Sequence, residues 1–257
     1  MDRIIARTLA GFDVINLDDL NGKAAMLERL DNKYILTASA LGPALMQFSE
    51  YFEVLEIEGK RAFTYATRYY DDPARRSYYD HLQGRRKRCK VRIREYVDAG
   101  FSFLEVKLKD KRKVTVKKRL KIANRANDLN ESALSFIEDQ YFGLYGECFN
   151  KTLHPVIAMQ YERITLVAKA GGERMTIDTG LQFEANGIFR KVQPEMFIVE
   201  TKSARGNGLA DKILRGFHHH PTKRCSKYCI GMASTGAVTR HNGFLPALRK
   251  LQLANSR

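Results

Sequence analysis

Charged and apolar side chains alternate with a period of two residues in the middle of the chain. From Arg88 to Tyr96 the even positions are Arg, Lys, Arg, Arg and Tyr, whereas the odd positions are Cys, Val, Ile and Glu. Residues 102–109 and 114–121 repeat the alternation, and the Asp-Ala-Gly at 98–100 is typical of a turn. Because strand side chains point alternately to two faces, the pattern predicts three consecutive β-strands, each with one basic face.

The same period recurs outside this stretch, and segments with helical spacing lie between the strands. Further strands are predicted at 27–36, 63–70, 156–168, 174–179, 181–183 paired with 189–192, and 196–202. Helices are predicted at about 37–51, 131–144, 207–218 and 245–253, and 75–84 forms a short connection compatible with a helix. About eight strands with charged residues on one parity predict an α+β fold, a closed antiparallel β-barrel with a charged interior. Flanking helices would cover its apolar exterior, and its tunnel would hold one elongated ligand.

We predict a single domain over residues 1–257, with a core at about 27–232 and a C-terminal helical tail at 240–257. No run of about 18 apolar residues is present to span a membrane, and the N-terminus lacks the pattern of a secretory signal. We therefore expect a cytoplasmic protein. The four cysteines are too few for a disulfide framework in a chain of this length, so we expect reduced thiols. Cys225 and Cys229, near three histidines, could suggest a zinc site, but their spacing fits no standard ligand pattern.

The charge is concentrated in one part of the chain. The formal net charge is +15, and residues 85–121, with sixteen Lys or Arg and four acids, supply +12 of it. Such a charge implies a polyanionic partner, namely nucleic acid, an anionic membrane surface or a phosphorylated ligand. The basic faces could also be the solvated side of a sheet. Three neighbouring strands of one sign repel each other, however, so we expect an anion to compensate them. The lone Glu105 among these cations could hold a divalent metal or form an ion pair.

Nine short motifs follow one another along about four fifths of the chain. They are ERLDNKY (28–34), RYYDDP (68–73), KVRIREY (90–96), LEVKLK (104–109), VKKR (116–119), QYER (160–163), RMTID (174–178), VETK (199–202) and CSKYC (225–229). In this order they resemble the polyphosphate polymerase domain of the vacuolar transporter chaperone (VTC) type. That domain belongs to the CYTH or triphosphate tunnel metalloenzyme superfamily.

The resemblance implies a fold, an activity and a set of site residues. The fold is an antiparallel β-barrel tunnel, and the activity transfers the γ-phosphate of ATP to a growing polyphosphate chain with Mn²⁺ or Mg²⁺. The implied phosphate-binding residues, with a tyrosine beside them, are Lys33, Arg92, Arg94, Lys107, Lys117, Arg119, Arg163, Arg174, Lys227 and Tyr161. Glu200 falls on the metal position, with Glu105 as a second acid. The superfamily's E-x-E-x-K motif is replaced here by Arg29-x-Asp31-x-Lys33, and parity favours Lys117 over Lys118.

Other functions and roles remain open at this point. The implied partners are ATP and inorganic polyphosphate, with no specific nucleic acid and no transmembrane segment, in a stand-alone catalytic domain. The same tunnel could hydrolyse tripolyphosphate or nucleoside triphosphates, or it could be a non-catalytic binding module for polyphosphate, RNA or anionic lipid. Arg163 and Arg174 could instead pair with Glu162 and Asp178, Glu200 could pair with Lys202, and Lys227 could be a surface lysine. Packing is the expected role of Tyr69, Tyr70, Tyr78 and Tyr79.

Overall fold

The computed structural model describes residues 3–23, 30–110, 114–123 and 128–253. Its helices are α1 (Arg3–Ala10), α2 (Leu17–Lys23), α3 (Ala38–Tyr51), α4 (Arg76–Leu82), α5 (Glu131–Tyr145), α6 (Leu209–Gly216), α7 (Lys227–Ser234) and α8 (Leu245–Lys250). Its strands are β1 (Val14–Ile15), β2 (Leu30–Thr37), β3 (Phe52–Leu55), β4 (Ala62–Asp71), β5 (Cys89–Tyr96), β6 (Phe101–Lys109), β7 (Thr115–Ile122), β8 (His154–Ala168), β9 (Arg174–Ala185), β10 (Ile188–Lys191) and β11 (Met196–Ser203). Outside the described residues lie the start of the predicted strand at 27–36, with Glu28 and Arg29, and the cations Lys111, Arg112 and Lys113.

One sheet contains all of these strands. Its main path runs β2-β11-β9-β8-β4-β5-β6-β7, with β3 and β10 attached beside β8 and β9 and with β1 pairing with β3. Every pairing along the main path is antiparallel. The predicted α+β class and the antiparallel sheet are therefore confirmed, and the main path has the expected number of strands.

The prediction that the sheet closes into a barrel is wrong for the part of the chain that the structure describes. There, β2 pairs only with β11 and β7 only with β6, so the path has two ends. The exposed, lysine- and arginine-rich β7 explains this, because charged side chains on an edge strand oppose further pairing. The sheet is nevertheless curved, since Lys109 on β6 interacts electrostatically with Asp31 and Lys33 on β2. We call the inner surface of this curve the concave face.

Helices cover the outer face of the sheet, as its apolar side chains require. Phe48 of α3 belongs to one apolar core with Tyr34 and Phe197 of the sheet, and α1 and α6 contribute to the same core. In a second core, Ile137 of α5 packs with side chains of β5 and β6, among them Val106. These contacts bury the apolar parity of each strand and leave the charged parity on the concave face.

One end of the concave face is also covered. Helices α7 and α8 form a core there with apolar residues of β8, β9 and β11. The Asp71 carboxylate, which is fully buried, accepts hydrogen bonds from the backbone of α4 and from the hydroxyl of Tyr228 at 2.7 Å. This carboxylate therefore fixes α7 relative to α4 and β4.

The structure differs from the predicted elements at several places. The segments 174–179 and 181–183 form one continuous strand, β9, because Gly180 adopts a positive φ within the strand rather than ending it. The first predicted helix begins where expected, with the side chain of Thr37 accepting from the Ala40 backbone at 3.2 Å. Elements α1, α2, β1, β3 and α7 were not predicted. In α7, seven of eight residues are buried, so the helix has no polar face to reveal its period.

Candidate functional site

Basic side chains from six strands and one helix meet on the concave face. Together with four acids they form what we call the cation cluster: Lys33, Arg92, Arg94, Lys107, Lys117, Arg163, Lys202 and Lys227, with Asp31, Glu105, Asp178 and Glu200. Eight cations and four acids leave the cluster with a formal charge of +4. Because several of these side chains are buried, this excess is costly unless an anion compensates it.

Glu105 lies at the centre of one half of the cluster. It is fully buried, and its carboxylate accepts from Arg92 Nε at 2.6 Å and from Lys117 Nζ at 3.2 Å. Burial alone would raise the pKa of Glu105, but Arg92, Arg94 and Lys117 hold it well below its usual range. Both carboxylate oxygens thus contact cations. Glu105 therefore forms the ion pairs that the sequence left open beside its predicted metal role.

Lys107 has a lysine opposite it on each neighbouring strand. It lies opposite Lys117 in the register of β6 and β7, and opposite Lys90 in that of β5 and β6. The charge of Arg92 and then burial hold the pKa of Lys107 well below its usual value. A bound anion would reverse this effect by stabilising the protonated amine.

Asp178 organises the other half of the cluster. It accepts from Arg163 through Nε at 2.6 Å and Nη2 at 2.8 Å, and from Lys227 Nζ at 2.5 Å. Burial would raise the pKa of Asp178, but these two cations lower it to about 2. Of the acids that the sequence offered as partners for Arg163, the structure therefore selects Asp178. It also places Lys227 at the first turn of α7, with Ser226 as the N-cap.

Tyrosine hydroxyls complete the arginine contacts. Tyr161 accepts from Arg94 Nη2 at 3.0 Å, and Tyr69 accepts from Arg92 Nη1 at 2.7 Å. The ring of Tyr65 lies 5.4 Å from the Arg94 guanidinium and 5.3 Å from that of Arg163. The sequence assigned Tyr69 to packing and did not single out Tyr65. Their shared parity on β4, next to the basic strand β5, was the signal that could have found them.

Two carboxylates adjoin each other at the β2–β11 side of the cluster. Glu200 accepts from Lys33 at 3.2 Å and from Lys202 at 3.1 Å, and it shares a hydrogen bond with Asp31. Burial and then the charge of Glu200 raise the pKa of Asp31. Burial would also raise the pKa of Glu200, but Lys202 and Lys33 hold it well below its usual value.

This carboxylate pair fits a divalent cation. Two adjacent carboxylates repel each other when both are ionised. A proton shared by Asp31 and Glu200 relieves this repulsion, and a metal bound by the pair would relieve it in the same way. The described residues contain no group of three or more His, Cys, Asp or Glu suited to a metal. Mg²⁺ commonly takes only one or two carboxylates from a protein and the rest of its ligands from phosphates and water. The pair therefore suits a metal that arrives with a phosphorylated ligand.

Eight of the nine cations predicted from the sequence lie on the concave parity of their strands, and the ninth, Lys227, reaches the concave face from α7. Arg174 lies opposite Lys202 in the register of β9 and β11. Arg119 lies opposite Glu105, and its guanidinium is 4.8 Å from the ring of Phe103. Lys118 has the other parity and is exposed, so Lys117 is the lysine that contacts the cluster. Lys202, Asp31 and Asp178 are the members of the cluster that the sequence did not propose as site residues, although Asp178 was named as a possible ion-pair partner.

Comparison with known proteins gives a family and several structural likenesses. The model of the VTC domain family matches residues 28–235. No curated protein matches the chain. No helix within the described ranges has both the length and the apolar composition needed to cross a membrane.

Among solved structures, a candidate adenylate cyclase from Bacillus halodurans is 10% identical, with a TM-score of 0.49 over 78% of this chain and 95% of that one. A candidate adenylyl cyclase from Hippeastrum, described as having a dominant triphosphatase activity, is 14% identical, with a TM-score of 0.49 over 84% of this chain and 100% of that one. A protein of Pyrococcus horikoshii is 17% identical, with a TM-score of 0.39 over 78% of this chain and 96% of that one. With every TM-score below 0.5, these likenesses carry no functional argument.

Proposed function

This chain belongs to the VTC domain family, and on that premise we propose that it is a metal-dependent polyphosphate polymerase. It would transfer the γ-phosphate of ATP to a growing polyphosphate chain bound on the concave face. The observation that carries this proposal is the cation cluster, whose formal charge of +4 is gathered from six strands and α7. A chain of phosphates would supply the compensating anion.

The chemistry needs few specialised groups. Phosphoryl transfer depends mainly on holding nucleophile, phosphorus and leaving group in line and on stabilising the charge of the phosphoryl oxygens. The remaining N–H groups of Arg92, Arg94 and Arg163 would donate to phosphate oxygens, whereas Lys107 and Lys227 would supply point charges. Bound phosphates would raise the pKa of Lys107, which the charge of Arg92 and burial hold below its usual value, because they stabilise the protonated amine. No covalent protein intermediate is required.

The carboxylates have a separate role. Asp31 and Glu200 would hold the Mn²⁺ or Mg²⁺, and the ion, when bound, would neutralise charge on the phosphate oxygens. Lys33 and Lys202 keep Glu200 ionised for this purpose. Glu105 and Asp178 hold the arginines in fixed directions. ATP and inorganic polyphosphate are thus the proposed partners.

The first experiment identifies the product. Purified protein is incubated with γ-labelled ATP and Mn²⁺, and the products are resolved on a gel. We expect ADP and a ladder of long phosphate chains. Release of free phosphate alone would instead indicate a triphosphatase, and binding of polyphosphate without turnover would indicate a binding module.

Adjacent lysines of β7 provide a matched pair of variants for this experiment. Lys117→Ala removes a cation that contacts Glu105 at 3.2 Å, whereas Lys118→Ala removes an exposed cation of the other parity. Both changes lower the net charge equally. We expect at least about a tenfold loss of kcat/KM for Lys117→Ala, which corresponds to about 1.4 kcal/mol, and less than a twofold change for Lys118→Ala. Equal losses would mean that net charge, rather than the cluster, supports activity.

A second variant separates catalysis from binding. Glu200→Ala should abolish turnover but leave polyphosphate binding nearly intact, because it removes a proposed metal ligand and no phosphate-binding cation. Equal loss of turnover and binding would count against an enzyme that uses Glu200 for its metal.

A further inference from the structure

Three aromatic rings lie together at the tip of the β5–β6 hairpin. Tyr96 and Phe101 are stacked with ring centroids 4.7 Å apart, and Phe103 meets them edge-on at 6.0 Å and 5.6 Å. All three rings are half-buried, and none belongs to the apolar cores formed by the described residues. We call this group the aromatic platform. Half-exposed rings outside a core offer area that a ligand can cover.

The aromatic platform is continuous with the cation cluster. The ring of Tyr65 lies 4.9 Å from Tyr96 and stacks on Tyr161 at 5.6 Å with an interplanar angle of 4°. In the register of β5 and β6, Phe103 lies opposite Arg94, and Glu105 lies opposite Arg92. Two residues along a strand advance about 6.6 Å. The platform therefore adjoins the arginine end of the row of cations.

Cations also border the platform on β7. The guanidinium of Arg119 lies 4.8 Å from the ring of Phe103, and Lys121 Nζ lies 5.7 Å from the ring of Phe101. A ligand that fits this surface needs a flat ring at one end and negative charge beside it. Of the ligands of the proposed function, a nucleoside triphosphate meets both requirements, whereas inorganic polyphosphate meets only the second.

We propose that the aromatic platform binds the nucleobase of the nucleoside triphosphate donor, with Phe103 as the stacking ring and Tyr96 meeting the base edge-on. The triphosphate would then extend along β5 and β6 toward Arg92 and Lys107. This inference rests on the proposed function, because it takes the donor to be a nucleoside triphosphate. Stacking on aromatic rings tolerates every base, so the platform selects a nucleotide over a bare phosphate chain and discriminates weakly among bases. Arg119, whose guanidinium lies 4.8 Å from the ring of Phe103, would place positive charge beside the bound base.

The competing explanation is that these rings only stabilise the hairpin. Tyr96 and Phe101 are directly cross-strand neighbours, and such aromatic pairs do stabilise sheets. A structural role would lower the affinity for every ligand of the cluster together, whereas a base-stacking role concerns only ligands that carry a base. Comparing a nucleotide with inorganic tripolyphosphate on the same protein separates the two.

The test uses the whole chain and two probes, a non-hydrolysable ATP analogue with Mn²⁺ and inorganic tripolyphosphate with Mn²⁺. Titration calorimetry on the wild type and on Phe103→Leu should show about a tenfold weaker affinity of the variant for the ATP analogue, as expected for a lost stacking contact. The affinity for tripolyphosphate should change less than twofold. Phe142→Leu is the matched control, because Phe142 is 58% exposed on α5, away from the concave face.

Each other result has a defined meaning. If Phe103→Leu weakens the affinity for both probes equally, or for neither, the aromatic platform does not bind the nucleobase. That result leaves the proposed function untouched, because the wild type still binds tripolyphosphate. If Phe103→Leu does not fold, Tyr96→Leu is measured in the same way, and failure of both variants to fold assigns the rings to hairpin stability and overturns the proposal. If the wild type binds tripolyphosphate but not the ATP analogue, the platform is again overturned. If the wild type does not bind tripolyphosphate, the proposed function fails first.

Discussion

At the scale of single residues, buried acids determine where the cations point. Asp178 takes the Nε and Nη2 donors of Arg163, which leaves the other N–H groups of that guanidinium available in a fixed direction. It also takes one donor of Lys227, so one carboxylate aligns side chains from a strand and from a helix. A cation held in this way loses little conformational entropy when a phosphate binds.

The first prediction concerns Asp178→Asn. The amide of asparagine carries no negative charge, so the buried cations Arg163 and Lys227 lose their ionic partner. We expect the free energy of unfolding at pH 7 to fall by about 3 kcal/mol. The pKa of Asp178 is about 2 in the folded protein and 3.8 in the reference state. Its stabilisation is therefore complete above pH 3.8 and is lost as the pH falls toward 2. Urea denaturation at pH 7, 4 and 3 should show that the difference in free energy of unfolding between the wild type and Asp178→Asn becomes smaller as the pH falls.

The control for this prediction is Asp139→Asn, the same change at an exposed position on α5. We expect it to change the free energy of unfolding by less than about 0.5 kcal/mol at each pH. A difference between wild type and Asp178→Asn that stays constant down to pH 3 would contradict the charged role of Asp178.

Residue parity made several site positions predictable, and others depended on the fold. The period of two distinguished Lys117 from Lys118 and placed Arg92 and Arg94 on one face, because strand geometry is local. The partner of Arg163 was not predictable, since Asp178 lies on another strand and the register between them is a tertiary feature. Tyr69 was assigned to packing because its contact with Arg92 depends on the same kind of register.

At the scale of elements, α7 is the unexpected feature. Its backbone approaches the concave face closely at Gly231, where an added Cβ would lie 2.5 Å from side-chain atoms of both Ile157 and Phe183. The helix carries Lys227 at its first turn, so the distance between helix and sheet sets the position of that cation. The close approach therefore connects packing with the site.

Gly231→Ala gives the second prediction. Alanine favours a helix over glycine by about 1 kcal/mol, but here the methyl group would overpack a core and cost about 1–3 kcal/mol. We expect net destabilisation and lower activity, because α7 and Lys227 would move away from Asp178. The measurements are urea denaturation and the activity assay described above.

Gly143→Ala is the matched control, since Gly143 lies in α5 with nothing within 4 Å of an added Cβ. There the helix preference acts alone, and we expect stabilisation of about 0.5–1 kcal/mol with unchanged activity. Stabilisation of both variants to the same extent would show that α7 is not closely packed against the sheet.

At the scale of the whole molecule, charge and curvature act together. The chain carries +15, and the curved sheet brings part of that charge onto one concave face. Mutual repulsion within the cluster opposes folding, and Lys107 shows it through its low pKa. A multivalent anion that binds there should stabilise the folded protein by relieving this repulsion.

The third prediction is a thermal shift with inorganic tripolyphosphate. At about 100 times its Kd a ligand adds about 2.7 kcal/mol to the stability, which corresponds to a rise in Tm of about 5–10 °C for a chain of this size. Sodium chloride at equal ionic strength should raise Tm far less. Lys107→Ala should reduce the shift produced by tripolyphosphate, and an unchanged shift in that variant would place the anion elsewhere.

The sequence by itself determined the antiparallel strands of the main path, their basic and apolar faces, and the helices α3, α5 and α6 on the outer face, but not α1. It also indicated the family, through the nine short motifs and their order along the chain. These features follow from local periodicity and local composition. The tertiary structure alone decided that the sheet stays open in the described residues, which acid pairs with which cation, and that α7 delivers Lys227 to the concave face. Register, curvature and close helix packing depend on contacts between residues far apart in sequence, and no local period encodes such contacts.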